Sequence, residues 1–179
     1  AANGHLEEDI NLVQKSQHYR QPPQLLWNCG LQHANEFVEL SVEQCGEDFV
    51  SPMVGRGATF ADIDADGDLD ILITAVGAAP RLLRNDQDLG HHWLRVRLVG
   101  RQVNRDAIGS VVDLHVGDHV AAQQVMPTRS YLSQVELPVT FGLGTTDHID
   151  KLVVRWSDGT TRTIENPEVD QLLVIEQKE

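Results

Sequence analysis

The chain has 179 residues, is 41% hydrophobic and carries a formal net charge of −13. That length allows one or two domains with a real core. The charge argues against nucleic acid and against anionic membrane surfaces, because no basic stripe is present to release phosphate counterions or to meet acidic headgroups.

No apolar run of about eighteen residues is present, so no membrane insertion is expected. A charged n-region leading into an apolar h-region is also absent. The chain opens without Met in what reads as mid-motif, and we expect a fragment or processed piece of a longer protein.

Residues 1–23 are acidic and Gln-rich with weak periodicity, and Pro22-Pro23 breaks any preceding helix. A loop with one helical turn, docked on the next strand, is expected. Gln24–Asn28 reads as a short strand and Phe37–Ser41 as a second, alternating apolar and polar. Cys29 and Cys45 sit on either side of that second strand. A disulfide between them would close a loop of about fifteen residues and contribute around 3 kcal/mol by the chain-entropy model. The alternative is two free, half-buried thiols. Zinc is not expected, because no histidines stand at ligand spacing.

Ala58–Ile63 and Asp70–Val76 read as strands flanking an acidic loop. Asp62, Asp64, Asp66, Asp68 and Asp70 alternate through it. Unit charges about 5 Å apart repel by a few kcal/mol at an effective dielectric near 20. A chain that keeps such a cluster between apolar strands is expected to place a cation there, and hard oxygen donors suit calcium. Gly67 falls where the loop must turn sharply, with a positive φ. The first half of Asp-x-Asp-x-Asp-Gly-x-x-Asp is that of an EF-hand loop. The second half is not, because an EF-hand needs a bidentate Glu at position 12 and Ile73 stands there. The expectation is a strand–loop–strand calcium site.

Pro80 precedes Arg81–Asn85, which echoes Gln24–Asn28: both read x-Leu-Leu-x-Asn. An echo at this separation has the size of a four-stranded propeller blade. One blade neither closes a propeller nor buries its own faces. Residues 1–88 are therefore expected to be the last blade, or blade and a half, of a propeller whose other blades lie outside this chain.

From residue 89 to 179 the acidic loop does not recur and short strands alternate strictly. His92–Val99 places Leu94, Val96 and Leu98 on one face and Trp93, Arg95 and Arg97 on the other. Val111–Val116, Val120–Met126, Tyr131–Ser133, Val139–Leu143, Ile149–Trp156, Thr160–Glu165 and Leu172–Ile175 follow. Ser157-Asp158-Gly159 makes a hairpin turn with glycine where a positive φ is wanted. The expected fold is all-β: propeller blade region 1–88 with a calcium loop, then a small antiparallel sandwich or barrel over 89–179.

Two family resemblances run through these segments. The aspartate loop, with Gly55-Arg56-Gly57-Ala58 before it and Leu82-Leu83-Arg84-Asn85 after it, resembles the FG-GAP/VCBS repeat of integrin-type propellers. By that resemblance Asp62, Asp64, Asp66 and Asp70 give side-chain oxygens and Asp68 its backbone carbonyl. His92-Trp93-Leu94, Asn104–Gly109, Tyr131–Gln134, Phe141–Gly144 and Val154-x-Trp156-x-x-Gly159, in that order, resemble the ASPIC/UnbV domain. That domain follows FG-GAP/VCBS repeats in the cartilage acidic protein family and in secreted bacterial relatives. The resemblance covers about residues 24–179. It implies an extracellular (or periplasmic), secreted calcium-binding module and no established catalytic activity, since fold and family are not function.

Catalytic constellations are weakly represented. His91-His92 point to opposite faces of a strand, no helical His pair is present, and Ser130 and Ser133 lack a nucleophile elbow. The candidate ligand loop is Asn104, Arg105 and Asp106, with Arg129, Tyr131 and Ser133 converging from a facing hairpin. Its alternative is a structural turn. Trp93 and Trp156 read as core residues, with a carbohydrate platform as the alternative. The expected function is extracellular interaction or adhesion, with calcium in a structural role and a protein or carbohydrate partner. The alternatives are a carbohydrate-binding accessory module, or part of an enzyme whose active site lies in missing blades.

Overall fold

The computed structural model describes residues 1–30 and 35–178. Among them the chain is all-β apart from three one-turn helices, α1 (Ile10–Val13), α2 (Val42–Cys45) and α3 (Glu47–Val50). It divides into two compact units, each discontinuous in sequence. One comprises residues 1–60, 70–85 and 130–134; the other comprises 61–69, 86–129 and 135–179.

The first unit carries β1 (Leu26–Asn28) and β2 (Phe37–Glu39), an antiparallel pair, and a three-stranded sheet of β3 (Gly55–Ala61), β4 (Asp70–Ala75) and β5 (Arg81–Leu83). In β4 the alternation drives Ile73 inward to 2% exposure, where it packs with Phe49 of α3 and Met53. Ile71 pairs with Leu83 across the antiparallel β4–β5 register. The strand expected through Ser41 ends at Glu39, because Ser41 is a helix cap. Its backbone N–H donates to Gln44 Oε1 at 3.0 Å, and Ser41 and Gln44 form a reciprocal capping box that opens α2.

Cys29 and Cys45 are free thiols and not the disulfide considered above. Each thiol is satisfied within its own segment. Cys29 Sγ donates to the carbonyls of Asn35 (3.2 Å) and Glu36 (3.3 Å), and Cys45 Sγ donates to the Ser41 carbonyl at 2.9 Å.

The remaining strands are β6 (His92–Val99), β7 (Val111–Val116), β8 (His119–Gln124), β9 (Thr128–Ser130), β10 (Ser133–Gln134), β11 (Val139–Gly144), β12 (Lys151–Arg155), β13 (Thr161–Glu165) and β14 (Gln171–Glu176). In the second unit they make two sheets, in the orders β11-β6-β14 and β13-β12-β7-β8. The inward side chains of both sheets form one core: Leu94, Val96 and Leu98 from β6, Phe141 from β11 and Ile175 from β14 meet Val112, Leu114, Leu152 and Val154. Both sheets are open, so the barrel alternative does not apply. Nor is the sandwich wholly antiparallel. β14 pairs parallel to β6, with Leu173 opposite Val96. Parallel neighbours require a long crossover. Here everything from β7 to β13 lies between the two strands in sequence, including all of the other sheet and β11 of this one.

The β12–β13 turn forms as its residues dictate. Gly159 has φ +87°, and its N–H donates to the Trp156 carbonyl at 2.9 Å. Asp158 accepts from the Thr160 hydroxyl (2.6 Å) and N–H (2.9 Å), which hold its carboxyl below the usual carboxylate range. Asp158 also accepts from Gln177 Nε2 at 2.8 Å. Gln177 is 6% exposed, and its Oε1 accepts from three successive backbone N–H groups, those of Arg101 (3.0 Å), Gln102 (2.9 Å) and Val103 (3.2 Å). One amide thus ties the loop after β6 to the β12–β13 turn. Truncation removes the acceptor that three part-buried backbone N–H groups share, together with the donor to Asp158. We expect Gln177→Ala to destabilise the chain by about 2 kcal/mol, read as a lower denaturant midpoint at unchanged slope. A midpoint equal to the parent's would show that solvent replaces the amide without loss.

Candidate metal centre

The residues from Asp62 to Leu69 form the connection between β3 and β4. Its conformation is costly. Gly67 has φ +99°, and Ala65, which carries a Cβ, also has a positive φ, +65°. Two short hydrogen-bonded turns hold it. Gly67 N–H donates to Asp62 Oδ2 at 3.1 Å, and Asp68 N–H donates to Asp66 Oδ1 at 2.9 Å. Gly67 is buried, and a Cβ built on it would lie 2.0 Å from the Trp93 ring. The turn is thus pressed against an indole that only glycine lets it reach.

Of the five aspartates, three converge. Asp62, Asp64 and Asp70 each offer a carboxylate oxygen within 4.8 Å of the others. Asp66 and Asp68 lie outside that group, and the Asp66 carboxylate is turned to the backbone of its own turn. Asp64 is exposed, whereas Asp70 is 2% exposed and accepts from Asn85 N–H at 2.9 Å through Oδ1. The Asp62 side chain is fully buried. Its Oδ2 receives Gly67 N–H and Arg95 Nη1, the latter at 2.7 Å, while its Oδ1 is buried without a hydrogen-bond partner. An orphaned, buried carboxylate oxygen in a group of three carboxylates is the arrangement an oxygen-preferring cation completes. The donors contain neither nitrogen nor sulfur, which fits a hard cation over a transition metal. The residues present therefore fit calcium.

Arg95 was not foreseen as part of this centre. It lies mid-strand in β6 at 5% exposure, while Arg97, two residues on, is exposed. A buried guanidinium stays charged and must be matched by carboxylates. Asp62 supplies one, and Glu136 supplies the other through Nη2. Glu136 also approaches the Asp62 N–H at 3.4 Å. The signal in the sequence was an arginine flanked by apolar residues in a strand, in a chain with surplus aspartates.

The candidate ligand-loop residues, Tyr131 apart, are tied by hydrogen bonds that involve the backbone. Asn104 Oδ1 accepts from Asp106 N–H at 3.0 Å, and the Arg105 carbonyl accepts from Gly100 N–H at 2.9 Å. This is turn chemistry. Arg129 Nη2 donates to the Gln124 carbonyl at 3.3 Å. Ser133 Oγ accepts from Ala58 N–H at 3.0 Å, the Thr59 hydroxyl donates to the Gln134 carbonyl, and Tyr131 is exposed at the β9–β10 turn. Asn104, Arg105, Asp106 and Arg129 belong to the second unit, and Tyr131 and Ser133 to the first. Trp156 is a core residue at 4% exposure, and Trp93 is half-buried against the loop. An open cleft of about 530 Å³ lies in the second unit, lined by Gln102, Trp156, Asp158, Arg162 and Lys178 with β13 threonines.

Residues 100–179 match the family described as ASPIC and UnbV. The chain is also similar to Cartilage acidic protein 1 from Xenopus tropicalis, 30% identical over 127 residues. Proteins of the same name from Mus musculus and Homo sapiens are 28% identical over 127 residues. In each case the aligned segment covers 68% of this chain and 19% of the relative. The chain thus spans about a fifth of the length of the curated relatives it matches. No helix among the described residues is long and apolar enough to cross a membrane.

Proposed function

This chain is an ASPIC/UnbV-containing protein, and from that premise we propose that it acts as a calcium-binding extracellular interaction module without catalysis of its own. One observation carries the metal reading: the buried Asp62 carboxylate has an unpartnered oxygen and shares a cluster with Asp64 and Asp70. Calcium there would take side-chain oxygens from these three, with Asp66 and Asp68 adding negative charge from the same turn. Its role is structural. It neutralises the aspartates and fixes the β3–β4 connection, which we read as part of an FG-GAP/VCBS-type propeller blade. Exposed large apolar side chains on the first unit, among them Leu26, Trp27, Phe37 and Leu82, support a protein partner or a neighbouring blade as what it meets. The similarity to proteins named for cartilage supports an extracellular setting. A carbohydrate ligand is the second reading, favoured by the cleft in which Asp158, Arg162 and Lys178 stand beside Trp156.

Terbium, a calcium mimic, tests the site directly. The Trp93 indole lies against Gly67 in the loop, close enough to pass excitation energy to a bound lanthanide. Indole-sensitised terbium emission should saturate at one equivalent, be displaced by excess calcium, and largely vanish in Trp93→Phe. Emission that is absent, or that calcium does not displace, would remove the loop as a calcium site.

A further inference from the structure

We propose that Arg95 is the resident counter-ion of the Asp62–Asp70 loop and that its charge opposes the metal this loop takes. The inference rests on the calcium reading above and adds a determinant of affinity that lies in another strand. Asp62 is bonded on one side only. Its Oδ2 is held by Arg95 Nη1 at 2.7 Å and by Gly67 N–H, while its Oδ1 is left without a partner and its carboxylate belongs to the cluster with Asp64 and Asp70. One carboxylate therefore faces two positions for a cation, and the guanidinium fills one of them. The metal-free loop is consequently not a bare acidic cluster, since Arg95 already offsets part of its repulsion. An ion arriving at the cluster meets a fixed like charge one carboxylate away, in surroundings where both Arg95 and Asp62 are shut off from screening solvent. Glu136, on the other arm of the guanidinium, offsets that opposition.

Coulomb's law then gives the two residues opposite signs. Removing the Arg95 charge should tighten calcium binding, and removing the Glu136 charge should weaken it. An ion pair that only holds the fold together would lower metal-free and metal-bound melting temperatures alike and leave affinity unchanged.

The test compares calcium titration calorimetry and melting curves, with and without chelator, for the parent chain, Arg95→Met and Glu136→Gln. We expect Arg95→Met to melt lower in chelator, to show a larger calcium-induced rise than the parent, and to bind calcium roughly tenfold more tightly. Glu136→Gln should bind it several-fold more weakly. Parent-like affinity in both variants, or weakening in both, would overturn the counter-ion role while leaving the metal site standing. If Arg95→Met does not fold in chelator, Glu136→Gln decides the matter, and unchanged affinity there overturns the proposal. A parent chain that binds no calcium removes the metal reading itself, and this inference with it.

Discussion

Asp64→Ala is expected to abolish a calcium-dependent rise in melting temperature that the parent chain shows. A site filled to about 100 times its dissociation constant adds about 2.7 kcal/mol to folding, which a domain of this size displays as about 5–10 °C. Asp64 is the right position to remove. It is exposed, so its truncation should cost the metal-free fold less than removal of the buried Asp62 or Asp70 side chain. Asp62 and Asp70 are poorer choices, because each also supports the metal-free fold, through Arg95 and Asn85 respectively. The expected pattern is a parent whose melting curve shifts between chelator and millimolar calcium, and a variant whose two curves superimpose on the parent's chelator curve. A parent with no shift would mean that Arg95 alone balances the turn. A shift that persists in Asp64→Ala would move the ion away from this cluster, and Asp66→Ala would then show whether the outer aspartates hold it.

The sandwich was largely legible in the sequence because its strands are read by a local rule. β6 and β7 begin and end where strict alternation begins and ends, and the inward residues Leu94, Val96 and Leu98 are the ones alternation selects. Pairing direction is not local. Nothing in Leu172–Ile175 says that it will lie parallel to β6, because direction is set by how the crossover returns. The helices α2 and α3 escaped for another reason. Four residues cannot display a 3.6-residue period, and the one available signal was the Ser41–Gln44 capping box. The free thiols are a matter of distance and orientation, which spacing along the chain does not contain.

The centre itself was half legible. Alternating aspartates announce a charge problem, and the apolar strands on either side fix where it must be solved. Which carboxylates converge depends on the turn between them. Asp66 spends an oxygen on the Asp68 N–H, which leaves Asp62, Asp64 and Asp70 as the group. Alternation puts Arg95 and Arg97 on the same face of β6 and treats both alike. The burial of Arg95 is a tertiary fact, decided by a carboxylate 33 residues away in the chain.

The second large effect is expected at Gly67. Two independent penalties fall on any side chain there. The backbone φ of +99° is left-handed, which costs an L-residue about 1–2 kcal/mol. A Cβ would also sit 2.0 Å from Trp93 Cε2 and 2.2 Å from Nε1, far inside contact distance. The backbone that carries the indole is fixed, since the Trp93 main-chain N–H donates to Asp170 Oδ1 at 3.1 Å and its carbonyl accepts from Asp170 N–H at 2.7 Å, so relief must come from the side-chain rotamer or the turn. Relieving such an overlap costs a further 1–3 kcal/mol or so. Gly67→Ala should therefore lower stability by about 2–5 kcal/mol. It should also weaken calcium binding, because the Gly67 N–H is one of the two donors that hold Asp62 Oδ2. The two penalties separate in a double-mutant cycle with Trp93→Ala. In that background the overlap is gone and only the backbone cost remains, so Gly67→Ala should fall to about 1–2 kcal/mol. Equal costs in both backgrounds would show that the indole moves aside without penalty and that backbone conformation alone reserves the position for glycine.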